Sequence, residues 1–99
     1  MLTITEAAVG VLVQTRTEKG EPDDSGVRFF TREETDSDRT RLAFKFVDSP
    51  RTDDTVLDEK SIDAYVAPEV DRLIGDVVVD ARESDGRLGL VVRRERQQA

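Results

Sequence analysis

The sequence predicts an α+β domain: mostly antiparallel, sandwich-like sheet with an N-terminal helix and one short internal helix. Three observations predict it. Most apolar residues fall in short runs alternating with polar ones, the two-residue period of half-buried strands. Only two stretches break that period toward a helical one, the first near the N-terminus and the second opened by Pro68. Strands and helices do not alternate regularly, which argues against a parallel βαβ sheet. At 99 residues the chain has the size of a single domain, and the whole of 1–99 is expected to form one, fraying from about residue 94.

Taken in order, Leu2 and Ile4 start a short strand. Thr5 is placed to cap a helix over 6–18, with Glu6 favourable in its first turn. Val9, Leu12 and Val13, with Ala8 beside them, fall on one face of that helix, and Val11 lies off the stripe. Gly20 follows as a stop, and 21–24 is loop. A strand over 26–31 puts Val27 and Phe29 on one face and Arg28 and Phe30 on the other. The all-polar stretch 32–40 links it to a strand in which Leu42, Phe44 and Phe46 alternate with Ala43, Lys45 and Val47, so the two form a hairpin. Pro50 ends that strand.

Val56-Leu57 is a short strand. In 61–66, Ile62, Ala64 and Val66 point inward while Asp63 and Tyr65 point outward. Pro68 suits the first position of a helix faced by Val70, Leu73 and Ile74 and closed by Gly75. Val77, Val79 and Ala81 lead into a turn at Ser84-Asp85-Gly86, and Leu88, Leu90 and Val92 return, the strongest hairpin signal in the chain.

Composition narrows function by exclusion. The formal net charge of −7 disfavours a nucleic-acid backbone as partner, because phosphate affinity needs clustered Lys and Arg. Arg93, Arg94 and Arg96 form the sole basic cluster and read as a solubilising end. With neither cysteine nor histidine, the chain has no disulfide, no thiolate or imidazole ligand, and no Ser-His-Asp or Cys-His machinery. No signal peptide or membrane-length apolar run is visible, so the expected location is cytoplasmic.

Chemistry is left to carboxylates, hydroxyls, Arg, Lys and one tyrosine. Glu33, Glu34, Asp36 and Asp38 form the best oxygen-ligand cluster, although the fixed glycine and distal Glu of a calcium loop are missing. The pairs Asp53-Asp54 and Asp58-Glu59 sit on turns, where adjacent acids point apart and stay solvated. That is unlike the facing carboxylates of a glycosidase, and it leaves a carboxylate hydrolase as a remote alternative. Phe30, turned away from Phe29, and Tyr65 are the candidate interaction surface.

In order and spacing, LTITEAAVGVLVQ, GVRFF, LAFKFVDSPRTDDTVLD, SIDAYVAPEVDRLIGDVVVD and GRLGLVV resemble the HesB/IscA-like family of A-type iron–sulfur carriers over nearly the whole chain. The resemblance implies the HesB-like fold. It also implies a cluster held by three cysteines, one in the loop between the second and third strands and a C-x-C pair in the C-terminal tail. The corresponding stretches here, 32–40 and 93–98, hold no sulfur, and iron–sulfur clusters are held chiefly by thiolates. The chain thus reads as a cysteine-free branch: not an enzyme, with no cofactor expected. Its expected role is a scaffold for a protein partner or for itself as a homodimer, linked by kinship to iron–sulfur assembly. The alternative is weak iron or other hard-cation binding through Glu33, Glu34, Asp36 and Asp38.

Overall fold

The computed structural model describes residues 1–33, 40–59 and 61–94. Among these lie seven strands and two helices: β1 (Leu2–Ile4), α1 (Glu6–Glu18), β2 (Gly26–Glu33), β3 (Thr40–Val47), β4 (Thr55–Asp58), β5 (Asp63–Val66), α2 (Pro68–Leu73), β6 (Val77–Ser84) and β7 (Arg87–Arg94). One sheet has the order β1-β6-β7, the other β3-β2-β5-β4. The neighbours β2–β3, β4–β5 and β6–β7 pair antiparallel. β1–β6 and β2–β5 pair parallel, so both sheets are mixed. The class is α+β, as expected.

The core lies where the sheets and helices meet. Leu2, Leu12, Val27, Phe29, Val70, Val77 and Val79 are almost fully buried, and each side chain of this kind contributes roughly 1.5–3 kcal/mol through burial. Val27 and Phe29 face inward, while Phe30, on the opposite face of β2, is partly buried and packs against the edge of the core. The hairpin turn is a two-residue one: Ser84 pairs with Arg87, and Asp85 (φ 52°) and Gly86 (φ 77°) take the left-handed conformations such turns demand.

Helix α1 departs from its expected face. Its buried residues are Ala8, Val11, Leu12 and Arg16, so Val11 belongs to the core side and Val9 and Val13 lie at its margin. Thr5 caps the helix as predicted, its Oγ1 accepting from the Ala8 N–H at 3.2 Å. The same hydroxyl donates to Asp80 Oδ1 at 2.7 Å, tying the helix start to β6. The Asp80 carboxyl is held below the usual carboxylate range by that Thr5 bond first, with the Ala81 N–H adding to it. Arg93 donates to its second oxygen at 3.2 Å.

Three charged side chains lie inside. Arg28 donates to both Asp54 oxygens, at 2.8 and 3.0 Å, with side chains only 8% and 0% exposed. The acid of the 53–54 pair read as solvated is therefore half wrong: Asp54 turns in because the fork of Arg28 meets it from β2. The Arg51 N–H donates to the same carboxylate at 2.9 Å, closing the turn over it. Hydrogen bonding from Arg28 holds the Asp54 carboxyl below its ordinary range, against the opposing effect of burial. Arg16 is buried at 7% exposure; it donates to the Ser25 carbonyl at 3.0 Å, while its Nε finds no hydrogen-bond partner among the described residues.

Candidate functional site

The candidate site lies where the start of β3, the end of α2 and the C-terminal end of β7 come together. Three elements position it. Proline at the first turn of α2 starts the helix, and the Ala67 N–H donates to the Phe29 carbonyl at 3.0 Å, docking that start on β2. Glu69 strengthens the dock by accepting from Thr31 Oγ1 at 2.7 Å and from its N–H at 3.3 Å. The Thr31 hydroxyl is the main reason the Glu69 carboxyl lies below its ordinary range. Gly75, at φ 83°, takes a conformation that other residues rarely adopt and turns the chain directly into β6. Val70, fully buried, anchors the helix and leaves Leu73 and Ile74 at its end.

The result is a cleft of about 310 Å³ lined by Thr40, Arg41 and Leu42 of β3, Leu73 and Ile74 at the end of α2, Val77 of β6, and Val92 and Arg94 of β7. Thr40 and Arg94 are the described residues that border 34–39 and 95–99. The cleft therefore holds Thr40 and Arg94, the described residues at the edges of the two segments on which the family resemblance puts its ligands. The described lining is apolar with two guanidiniums and one hydroxyl, and it holds no carboxylate. Chemically, such a surface can seat an apolar group bearing a negative charge; its described residues offer nothing for acid–base or nucleophilic work.

The other expected site residues are dispersed. Glu33 closes β2, opposite Thr40, and is exposed. Glu34, Asp36 and Asp38 lie outside the described residues. Among the described residues no three His, Cys, Asp or Glu side chains gather as a metal site would require. Phe30 is half-buried on the outer face of its sheet, with the Lys45 ammonium 5.4 Å from its ring centroid. Tyr65 sits on the same outer face, level with Arg28, yet is only 7% exposed. Its ring lies over Gly26, where an added Cβ would meet Tyr65 Cε2 at 2.5 Å and the Asp63 carbonyl at 2.9 Å. Burial pushes the Tyr65 hydroxyl up from its ordinary value. In this arrangement Tyr65 offers a partner little area.

Sequence reasoning missed Leu73, Ile74, Val92 and Arg94 as cleft residues. Val92 ends its run beside the polar C-terminal segment, which could have marked it; nothing in the sequence around Leu73 and Ile74 marks them as cleft residues.

No protein-family model and no curated protein sequence matches the chain. Solved structures do. IscA with the [2Fe-2S] cluster is 19% identical, with a TM-score of 0.78 over 95% of this chain and 85% of that one. Escherichia coli SufA, involved in biosynthesis of iron–sulfur clusters, is 20% identical, with a TM-score of 0.73 over 98% and 82%. A protein from Aquifex aeolicus solved in solution is 15% identical, with a TM-score of 0.67 over 95% and 91%. At these identities the likeness is one of fold, and the fold is HesB/IscA-like. Among the described residues no helix is long and apolar enough to cross a membrane.

Proposed function

We propose that this chain is a non-catalytic interaction module, the iron–sulfur carrier fold used as a cysteine-free scaffold that binds a protein in iron–sulfur assembly. One observation carries the reading. The fold of IscA is matched over 95% of the chain, while the sequence has no cysteine and no histidine with which to hold a cluster. The cleft between β3, α2 and β7 supports it, because apolar walls beside guanidiniums suit recognition of another chain better than coordination of iron.

The test is chelator dependence. The purified chain is immobilised and offered purified iron–sulfur assembly proteins, one at a time, with and without excess chelator. A complex of equal affinity in both conditions supports a scaffold. Binding that disappears with chelator contradicts it and transfers the weight to cation binding through the acidic residues Glu33, Glu34, Asp36 and Asp38.

A further inference from the structure

Both outer strands flanking the cleft differ from the rest of this acidic chain. β3 and β7 together carry Arg41, Lys45, Arg87, Arg93 and Arg94 and no carboxylate; the other ten Lys and Arg and all 22 Asp and Glu lie elsewhere. Each strand stands at the end of its sheet. Cations on an edge strand commonly guard it against pairing with another chain. A guarded edge does not also need exposed apolar side chains, yet β7 shows Leu88 at 60% and Val92 at 48% exposure.

The register explains where those side chains point. Leu88, Leu90 and Val92 pair across to Glu83, Ala81 and Val79 of β6, and Val79 is 1% exposed. The apolar layer of the core thus continues sideways onto β7, where, among the described residues, Leu88 and Val92 are left uncovered. A hollow lies at each end of the strand. One is the 310 Å³ cleft beside Val92 and Arg94. The other, about 520 Å³, lies against α1 and has a mixed lining, Val11 and Leu88 beside the polar Gln14, Thr15, Glu18 and Arg87. Leu88 and Val92 are four residues apart on one face, so an added strand would present side chains at i and i+4 to the two hollows.

We infer that the open edge of β7 is a docking site for an extended acidic segment of a partner protein, paired as a fourth strand of the β1-β6-β7 sheet. Apolar residues at i and i+4 of that segment seat in the hollows, and the carboxylates that flank them, at i−1 and i+5 on the other face, meet Arg93 and Arg87. β7 is favoured over β3 because it has a hollow at both ends and more cations, while Lys45 of β3 already lies over Phe30. The inference rests on the interaction-module reading and names the chemistry of its partner.

The test uses the full chain, isotope-labelled, and a fluorescent peptide Asp-Leu-Asp-Val-Asp-Leu-Asp. The controls are the same peptide with Lys for Asp, and a shuffled one with its three apolar residues contiguous. The alternating acidic peptide should bind at least ten-fold more tightly than either control, with amide shifts concentrated at 87–94 and the hollow linings. The pair Arg87→Glu and Arg93→Gln, both exposed and so compatible with folding, should weaken it by ten-fold or more. Equal affinity for the shuffled peptide, shifts elsewhere, or no binding overturns the inference. So does concentration-dependent protection of the β7 amides without peptide, which would give the edge to a second copy of the chain. If the peptide fails while a chelator-resistant protein complex persists, the edge inference falls alone; if that complex needs metal, the module reading falls too.

Discussion

Replacing Asp54 by alanine removes one half of an ion pair whose other half cannot escape to water. Arg28 sits mid-strand in β2, flanked by Lys45 of β3 and Tyr65 of β5, and its side chain is 8% exposed. In the variant the guanidinium loses both bonds, at 2.8 and 3.0 Å, and the Arg51 N–H loses its acceptor. Breaking a buried pair from one side costs about 3–5 kcal/mol, against a total stability on the order of 5–15 kcal/mol for a domain of this size. With a urea dependence of about 1–1.5 kcal/mol per molar for a small domain, the unfolding midpoint should fall by roughly 2–5 M. The double variant Arg28→Met/Asp54→Leu should recover most of the loss, because two apolar groups leave no stranded charge. Equilibrium urea unfolding followed by circular dichroism measures both. A single-variant loss below about 1 kcal/mol would place the pair among surface ion pairs and refute its role as the fastener of the 48–54 turn.

Three further outcomes follow from the same geometry. Asp54, Glu69 and Asp80 all titrate below their ordinary range in the folded chain. Their stabilisation is therefore complete above the usual carboxylate values of about 4 and is lost as pH falls below them. Urea midpoints should be flat from pH 7 to 5 and drop toward pH 3, less steeply in Asp54→Ala. Thr5→Ala removes the cap of α1 and its tie to Asp80, and should cost about 0.5–2 kcal/mol, while Thr5→Ser retains most of it; thermal unfolding of the two variants separates them. Gly26→Ala should destabilise by roughly 1–3 kcal/mol through overpacking. Tyr65→Leu should relieve this only in part, because the Asp63 backbone oxygen stays 2.9 Å from the new methyl; a double-mutant cycle in urea reads it.

What the sequence made legible is local. The Ser84-Asp85-Gly86 turn, Pro68 and Gly75 around α2, and the alternation through Phe44 and Phe46 each state their own conformation, and the structure follows them. The unexpected features join distant segments. The parallel pairs β1–β6 and β2–β5 match strands that no turn connects. Arg28 and Asp54 meet across 26 residues. Arg16 reads as a solvent position by charge, yet the Ser25 carbonyl draws it in. The helical stripe was misread at Val11 because Val9 and Val13 look equally apolar; only the position of β6 and β7 decides which side is covered. The candidate site was partly legible through the resemblance, which marked two polar segments. That their bases share one cleft, walled by Leu73, Ile74 and Val92, depends on tertiary placement.

The central claim is that this fold works here without a cluster. The most direct measurement is anaerobic reconstitution of the full chain with ferrous iron and sulfide, followed by desalting, visible absorption and iron and sulfide analysis. The absence of thiolate and imidazole from the sequence predicts a colourless protein with sub-stoichiometric iron and no sulfide. A stable brown species with stoichiometric iron and sulfide, and bands of sulfide-to-iron charge transfer, would contradict it.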